Sequence, residues 1–153
     1  MNGEVVARKL LQHLEERGIV YPTPMVKVCA VLRIPVCFAP LEPFDGCYMR
    51  NRANKRLLIL INNKTAPRRQ HFSIAHELGH IALNHPPVEF LDSTLMTPCA
   101  PWHEVEANYF ASELLMPKLV LAPMGPMTPQ EIARYCHVSL GAAKVRAKQL
   151  GWG

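Results

Sequence analysis

The sequence predicts an α+β fold: a small antiparallel sheet packed on a helix bearing His-Glu-x-x-His and on a later glutamate-bearing helix, with helical caps at both ends. Three observations support this class. Apolar residues recur at helical spacing near both ends of the chain. Short strand-like runs cluster between Ile34 and Ile61 instead of alternating with helices. Two further helical patterns follow that cluster. A chain of 153 residues that is 49% hydrophobic and 19% charged can build one real core. Residues 1–122 are expected to form the main domain. Residues 123–153 are read as a linker and a helical pair packed on it.

The first element is an amphipathic helix over Glu4 to Arg17, with Val6, Leu10, Leu11 and Leu14 on one stripe and Gly18 ending it. Thr23-Pro24, an N-cap followed by a first-position proline, opens a second helix to about Leu32. Ile34 to Leu41 and Gly46 to Met49 read as strands, with Pro43 and Asp45-Gly46 as turns. Leu57 to Ile61 is a continuous apolar run stopped by Asn62-Asn63, so it reads as a buried strand. The basic segment Arg50 to Arg56 suits a hairpin loop. Pro67 opens a helix to about Asn84 with apolar residues on nearly every side, and Pro86-Pro87 stops it. Val88 to Trp102 reads as irregular. A helix then runs from about Trp102 to Met116, with Ala107, Phe110, Ala111 and Leu114 facing inward. After a Pro/Gly-rich linker, Thr128-Pro129 begins a short helix to Cys136, and a longer one spans Ser139 to Leu150.

Composition narrows the setting. The five cysteines are scattered without a C-x-x-C spacing and read as small buried hydrophobes in a reducing compartment. No apolar run approaches the roughly 20 residues needed to span a bilayer, so no membrane partner is expected. Met1-Asn2-Gly3-Glu4 lacks the start of a signal peptide. A cytoplasmic location is therefore expected. The net charge is +5, with its excess in Arg50 to Arg56, Lys64 to Arg69 and Arg134 to Lys148. Solvated basic faces, a nucleic acid or an acidic protein would each account for it.

The chemistry is concentrated in His76-Glu77-Leu78-Gly79-His80. Residues four apart on an α-helix project about 40° apart around the axis and about 6 Å along it, so both imidazoles can hold one metal ion. The arrangement is the one zinc-assisted peptide hydrolysis needs, with Glu77 as general base toward a metal-activated water. A hydrolytic site takes a third protein ligand. Glu104, Glu106 and Glu113 are candidates on the later helix, with His103 adjacent. Glu106 sits at the edge of the buried face, one turn before Phe110, where a carboxylate needs a reason to be. Gly79 would let another backbone approach the ligand helix. His71, His85, His103 and Tyr109 could orient substrate or stabilise an oxyanion, although a surface or packing role suits each of them too.

Two blocks carry a resemblance to a known family. Gln70 to His80 is similar to the R-x-F-T-[IL]-A-H-E-L-G-H signature of the ImmA/IrrE-type metallopeptidases. Glu104 to Pro117 is similar to their second block, E-x-E-A-N-x-F-A-x-x-L-L-M-P. The resemblance implies a gluzincin-like zinc endopeptidase of a type that cleaves a helix-turn-helix transcriptional repressor. It also implies that Zn2+ is bound by His76, His80 and Glu106, the last being the glutamate before Ala-Asn. No added sensor domain is expected.

The C-terminal pair has helix-turn-helix character, with Val138-Ser139 at the turn and Lys144, Arg146 and Lys148 on the second helix. The competing function is therefore a regulator that binds DNA or a repressor and uses its metal structurally or not at all. Packing of the pair onto the main domain, with its cations solvated, is the simpler account.

Overall fold

The described residues form seven α-helices and two small sheets: α1 (Gly3–Glu16), α2 (Met25–Val31), β1 (Val36–Ala39), β2 (Gly46–Arg50), β3 (Leu57–Asn62), α3 (Pro67–Ala82), β4 (Glu89–Leu91), β5 (Thr94–Met96), α4 (Pro101–Leu115), α5 (Lys118–Leu121), α6 (Pro129–Cys136) and α7 (Leu140–Gln149). The structure, a computed structural model, describes residues 2–87 and 100–153 in full and the backbone of 89–91 and 94–96. The expected α+β class holds. No helix among the described residues is long and apolar enough to cross a membrane.

The main sheet is mixed, which corrects the expectation of an antiparallel one. Its order is β1-β3-β2, with β1 parallel to β3 and β2 antiparallel to it. The continuous apolar run Leu57–Asn62 takes the centre, where both of its edges are paired and Ile59 and Ile61 are fully buried. The outer strands carry the exposed residues, among them Phe38 and Arg50. Pro40 and Pro43 in the β1–β2 connection have no N–H to donate to a ladder, so that segment crosses over instead of pairing as a tight hairpin. Asn62 ties the sheet to the next helix. Its amide donates to Phe44 O at 3.0 Å and its side-chain oxygen accepts from Lys64 N at 3.0 Å.

Other corrections are local. Pro24 is itself the N-cap of α2, and the Thr23 hydroxyl instead donates to Leu114 O at 3.1 Å, tying the α2 entry to α4. The segment expected to be irregular includes the antiparallel β4–β5 pair, while Val88, Asp92, Ser93, Thr97, Pro98 and Cys99 lie outside the described residues. Cys29, Cys47 and Cys136 are buried as expected, but Cys37 is exposed on β1. Elsewhere the expected signals hold. Gly18 follows α1 at φ +81°, a left-handed turn that favours glycine. Thr128 caps α6 through the Glu131 N–H, with Glu131 returning the bond.

Helices α1, α3 and α4 pack together because small residues line their contacts. The inward centre of α1 is Gly3, Ala7 and Leu14, with Val6, Leu10 and Leu11 half-buried around them. A side chain at Gly3 would run into the Glu106 carbonyl. A Cβ at Gly79 would stand 2.9 Å from Phe110 Cδ1 and 3.2 Å from the Ala107 carbonyl oxygen, so α3 meets α4 at this glycine. Gly79→Ala should gain roughly 1 kcal/mol of helix propensity and lose about 1–3 kcal/mol to overpacking. Chemical denaturation should therefore show net destabilisation, because the fully buried Phe110 ring has no room to yield.

The C-terminal helices join the same core through Ile132, Cys136, Val138, Ala143 and Ala147. Arg146 is almost completely buried: it ion-pairs with the equally buried Glu113 and donates from Nε to Met116 O at 3.0 Å. Glu113, one of the candidate ligands, is thereby committed to joining α4 and α7. Arg8 reaches it from α1 at 3.1 Å.

Candidate metal centre

Helix α3 is exposed over its first turn and buried from Ser73 to His80 except for His76, which is partly open. The apolar positions seat the helix between the sheet and α4. Its His76–Glu77–His80 face lies along a cleft of about 460 Å³. Phe44, Asp45, Gly46, Cys47 and Tyr48 form one wall, and Glu104 and Asn108 on α4 form the other.

The carboxylate that stands with the two imidazoles is Glu104, whereas Glu106, the expected third ligand, bonds to the start of α1. Glu104 places Oε2 2.9 Å from His76 Nε2 and Oε1 3.1 Å from His80 Nε2, and the two imidazole Nε2 atoms are 3.1 Å apart. Among the described residues these three are the group able to hold a metal ion. Glu106 points elsewhere: its Oε2 accepts the Gly3 N–H at 2.6 Å, at the first turn of α1. A carboxylate there satisfies a helix-terminal donor and favours the helix dipole. That is the reason it stands at the edge of the buried face.

The donors fit a cation. His76 Nδ1 is 2.8 Å from Asn108 Oδ1, which can only accept, so the His76 proton belongs on Nδ1 and its Nε2 presents a lone pair. His80 Nδ1 stands 2.8 Å from His85 Nδ1, leaving its Nε2 turned to the same point. Two lone pairs and a carboxylate directed at one another repel unless positive charge lies between them. Two imidazoles and one carboxylate at the corners of a triangle of this size match the donor set and spacing of a three-ligand tetrahedral site with one open position.

Where protons take the cation's place on the imidazoles, hydrogen bonds from His76 and His80 hold the Glu104 carboxyl well below the usual carboxylate range. Burial lowers the His76 pKa, but the Glu104 hydrogen bond and the nearby Glu77 and Glu104 charges outweigh it and raise the imidazole overall. Burial pushes Glu77 up, against the pull of the two histidines. Glu77 lines the same cleft as the three donors, and a buried carboxylate of raised pKa there suits a proton acceptor. His85 is lowered to about 4 by burial and by the neighbouring His80 and His103, so it is a neutral imidazole near pH 7.

The other expected candidates take different roles. His103 Nδ1 accepts the Ala100 N–H at 2.9 Å at the start of α4, and Tyr109 is exposed. His71, partly buried, has its pKa lowered by that burial and lines no part of the cleft. Asn108, His85 and Cys47 were not singled out for these places from the sequence. Asn108 carried a usable signal, since Glu104 and Asn108 repeat on α4 the i, i+4 spacing of His76 and His80 on α3. Of the three cations singled out on the last helix, Arg146 is buried in its ion pair while Lys144 and Lys148 are exposed.

Residues 29–148 match the peptidase family described as the IrrE N-terminal-like domain. The chain is also similar to Metallopeptidase ImmA of Bacillus subtilis (strain 168), with 27% identity over 133 residues, spanning 82% of this chain and 75% of that protein.

Proposed function

The chain belongs to the IrrE N-terminal-like family of metallopeptidases, and from that premise we propose that it is a zinc-dependent endopeptidase acting on a protein, with a helix-turn-helix transcriptional repressor as substrate. The convergence of His76, His80 and Glu104 on one point beside Glu77 carries the reading. Two imidazoles and a carboxylate suit Zn2+. When bound, the ion would supply Lewis acidity, lowering the pKa of a coordinated water and polarising the scissile carbonyl.

The remaining work falls to the chain's own residues. Glu77 takes a proton from the attacking water and delivers it to the departing amine nitrogen, so one carboxyl serves as base and then acid. Asn108 keeps His76 turned toward the metal position. The outer strand β2 forms a cleft wall along which an extended substrate segment can lie. Glu104, 49% exposed, keeps the site open to a polypeptide.

The test is direct. Elemental analysis of the purified protein should find zinc at about one per chain. Incubation with a helix-turn-helix repressor encoded beside its gene should yield discrete fragments, and a chelator should prevent them. Intact repressor in the presence of the zinc-loaded protein would count against the substrate; absence of any bound metal would count against the chemistry.

A further inference from the structure

We propose that His85 is a positioning residue for the metal site, seated by the helix-ending turn of α3 so that its imidazole holds His80 in the tautomer able to ligate. The inference rests on the metal-centre reading above.

The turn comes first. After Ala82 the chain reverses at Asn84, which has φ +58°, a left-handed value that asparagine tolerates better than most residues. Asn84 N donates to Ile81 O at 3.1 Å, and His85 N donates to His80 O at 2.8 Å. This is the paired-bond pattern of a Schellman motif, in which the residue after the left-handed position folds back on the one five places earlier. The contact between those two side chains is usually hydrophobic. Here both are imidazoles, and the earlier one is a member of the ligand triangle.

The tautomers follow from the geometry. His80 Nε2 faces His76 Nε2 and Glu104 Oε1, each at 3.1 Å, so a ligating His80 must carry its proton on Nδ1. Its side chain is 3% exposed, and an Nδ1–H this deep needs an acceptor. His85 Nδ1 stands 2.8 Å away. His85 therefore offers the lone pair at Nδ1 and carries its own proton on Nε2, the opposite arrangement to His80.

His85 is also held firmly. Its carbonyl accepts the Tyr48 hydroxyl from β2, and its ring packs against His103, with centroids 4.2 Å apart, and edge-on to Trp102 at 5.8 Å. The residue is 4% exposed. Strand β2 thus holds the backbone of His85, and the start of α4 holds its ring against the ligand triangle.

Two substitutions and one spectrum test this. In His85→Ala the acceptor is lost, and zinc affinity, read by competition with a chromophoric chelator, should fall by roughly 10–100-fold. The visible bands of the cobalt-substituted protein should change with it. In His85→Asn a carbonyl oxygen can take the place of Nδ1 and can only accept, so affinity and cobalt spectrum should return toward wild type. Nitrogen-15 NMR of the zinc-loaded wild type should show the His80 proton on Nδ1 and the His85 proton on Nε2. Thermal unfolding of the metal-free variants reports any folding defect; if His85→Ala does not fold, His85→Asn and the wild-type spectrum decide. The proposal is overturned if His85→Ala binds zinc as wild type does, if His85→Asn is as impaired as a folded His85→Ala, or if His85 carries its proton on Nδ1. A wild-type protein with no zinc affinity would overturn the metal-centre reading first, before any variant is compared.

Discussion

Glu77→Gln should lower the rate of substrate cleavage by about 10²–10⁴-fold, the usual worth of a positioned general base, while zinc affinity stays near wild type. The amide keeps the shape and polarity of the side chain but cannot accept a proton. Because Glu77 is only 6% exposed, an isosteric change disturbs packing least. The pH profile supplies a second check. Burial raises the Glu77 pKa, so the carboxyl stays protonated to higher pH than an exposed glutamate would, and the base-competent fraction grows as pH rises through that value. A bound cation would pull the same pKa back down. The wild type should therefore show an acid limb in kcat/KM, and the residual activity of Glu77→Gln should lack that limb. A variant that cleaves at the wild-type rate would remove Glu77 from the mechanism.

The legible parts of this chain were those set by local rules. Proline and threonine at Thr128-Pro129 mark the start of α6, Gly18 ends α1 in a left-handed turn, and an apolar run without alternation marks the buried β3. The metal pair was legible for the same reason, since i, i+4 spacing on one helix is a local fact. Contacts between elements were not. Whether β3 lies beside β1 or between β1 and β2 depends on where a crossing connection runs, and neither strand records that. His85 looked like a surface histidine because its partner is chosen by the turn at Asn84, whose geometry no periodicity reveals. Periodicity does not mark Ala7 as the centre of the α1 stripe because large side chains dominate a pattern, whereas close helix packing selects small ones.

The choice between Glu104 and Glu106 yields the second large expectation. On the proposed reading Glu104→Ala removes a direct ligand, so zinc affinity should fall by more than the roughly 10–100-fold expected for an outer partner, and cleavage should fall with it. Glu106→Ala removes the acceptor of the Gly3 N–H instead. That charge-assisted bond is worth about 1–2 kcal/mol at a partly buried helix start, so Glu106→Ala should lower the unfolding temperature with or without metal and leave zinc affinity nearly unchanged. The two carboxylates stand about 200° apart around the α4 axis, which is why one faces α3 and the other α1. Asn108, one turn after Glu104, contacts the same histidine that Glu104 does and fixes which face is turned to α3. Measuring zinc affinity by calorimetry and metal-free stability by thermal unfolding for both variants separates the roles. The opposite pattern, with metal lost in Glu106→Ala and kept in Glu104→Ala, would return the third ligand to the glutamate before Ala107-Asn108 and require α4 to rotate by about half a turn.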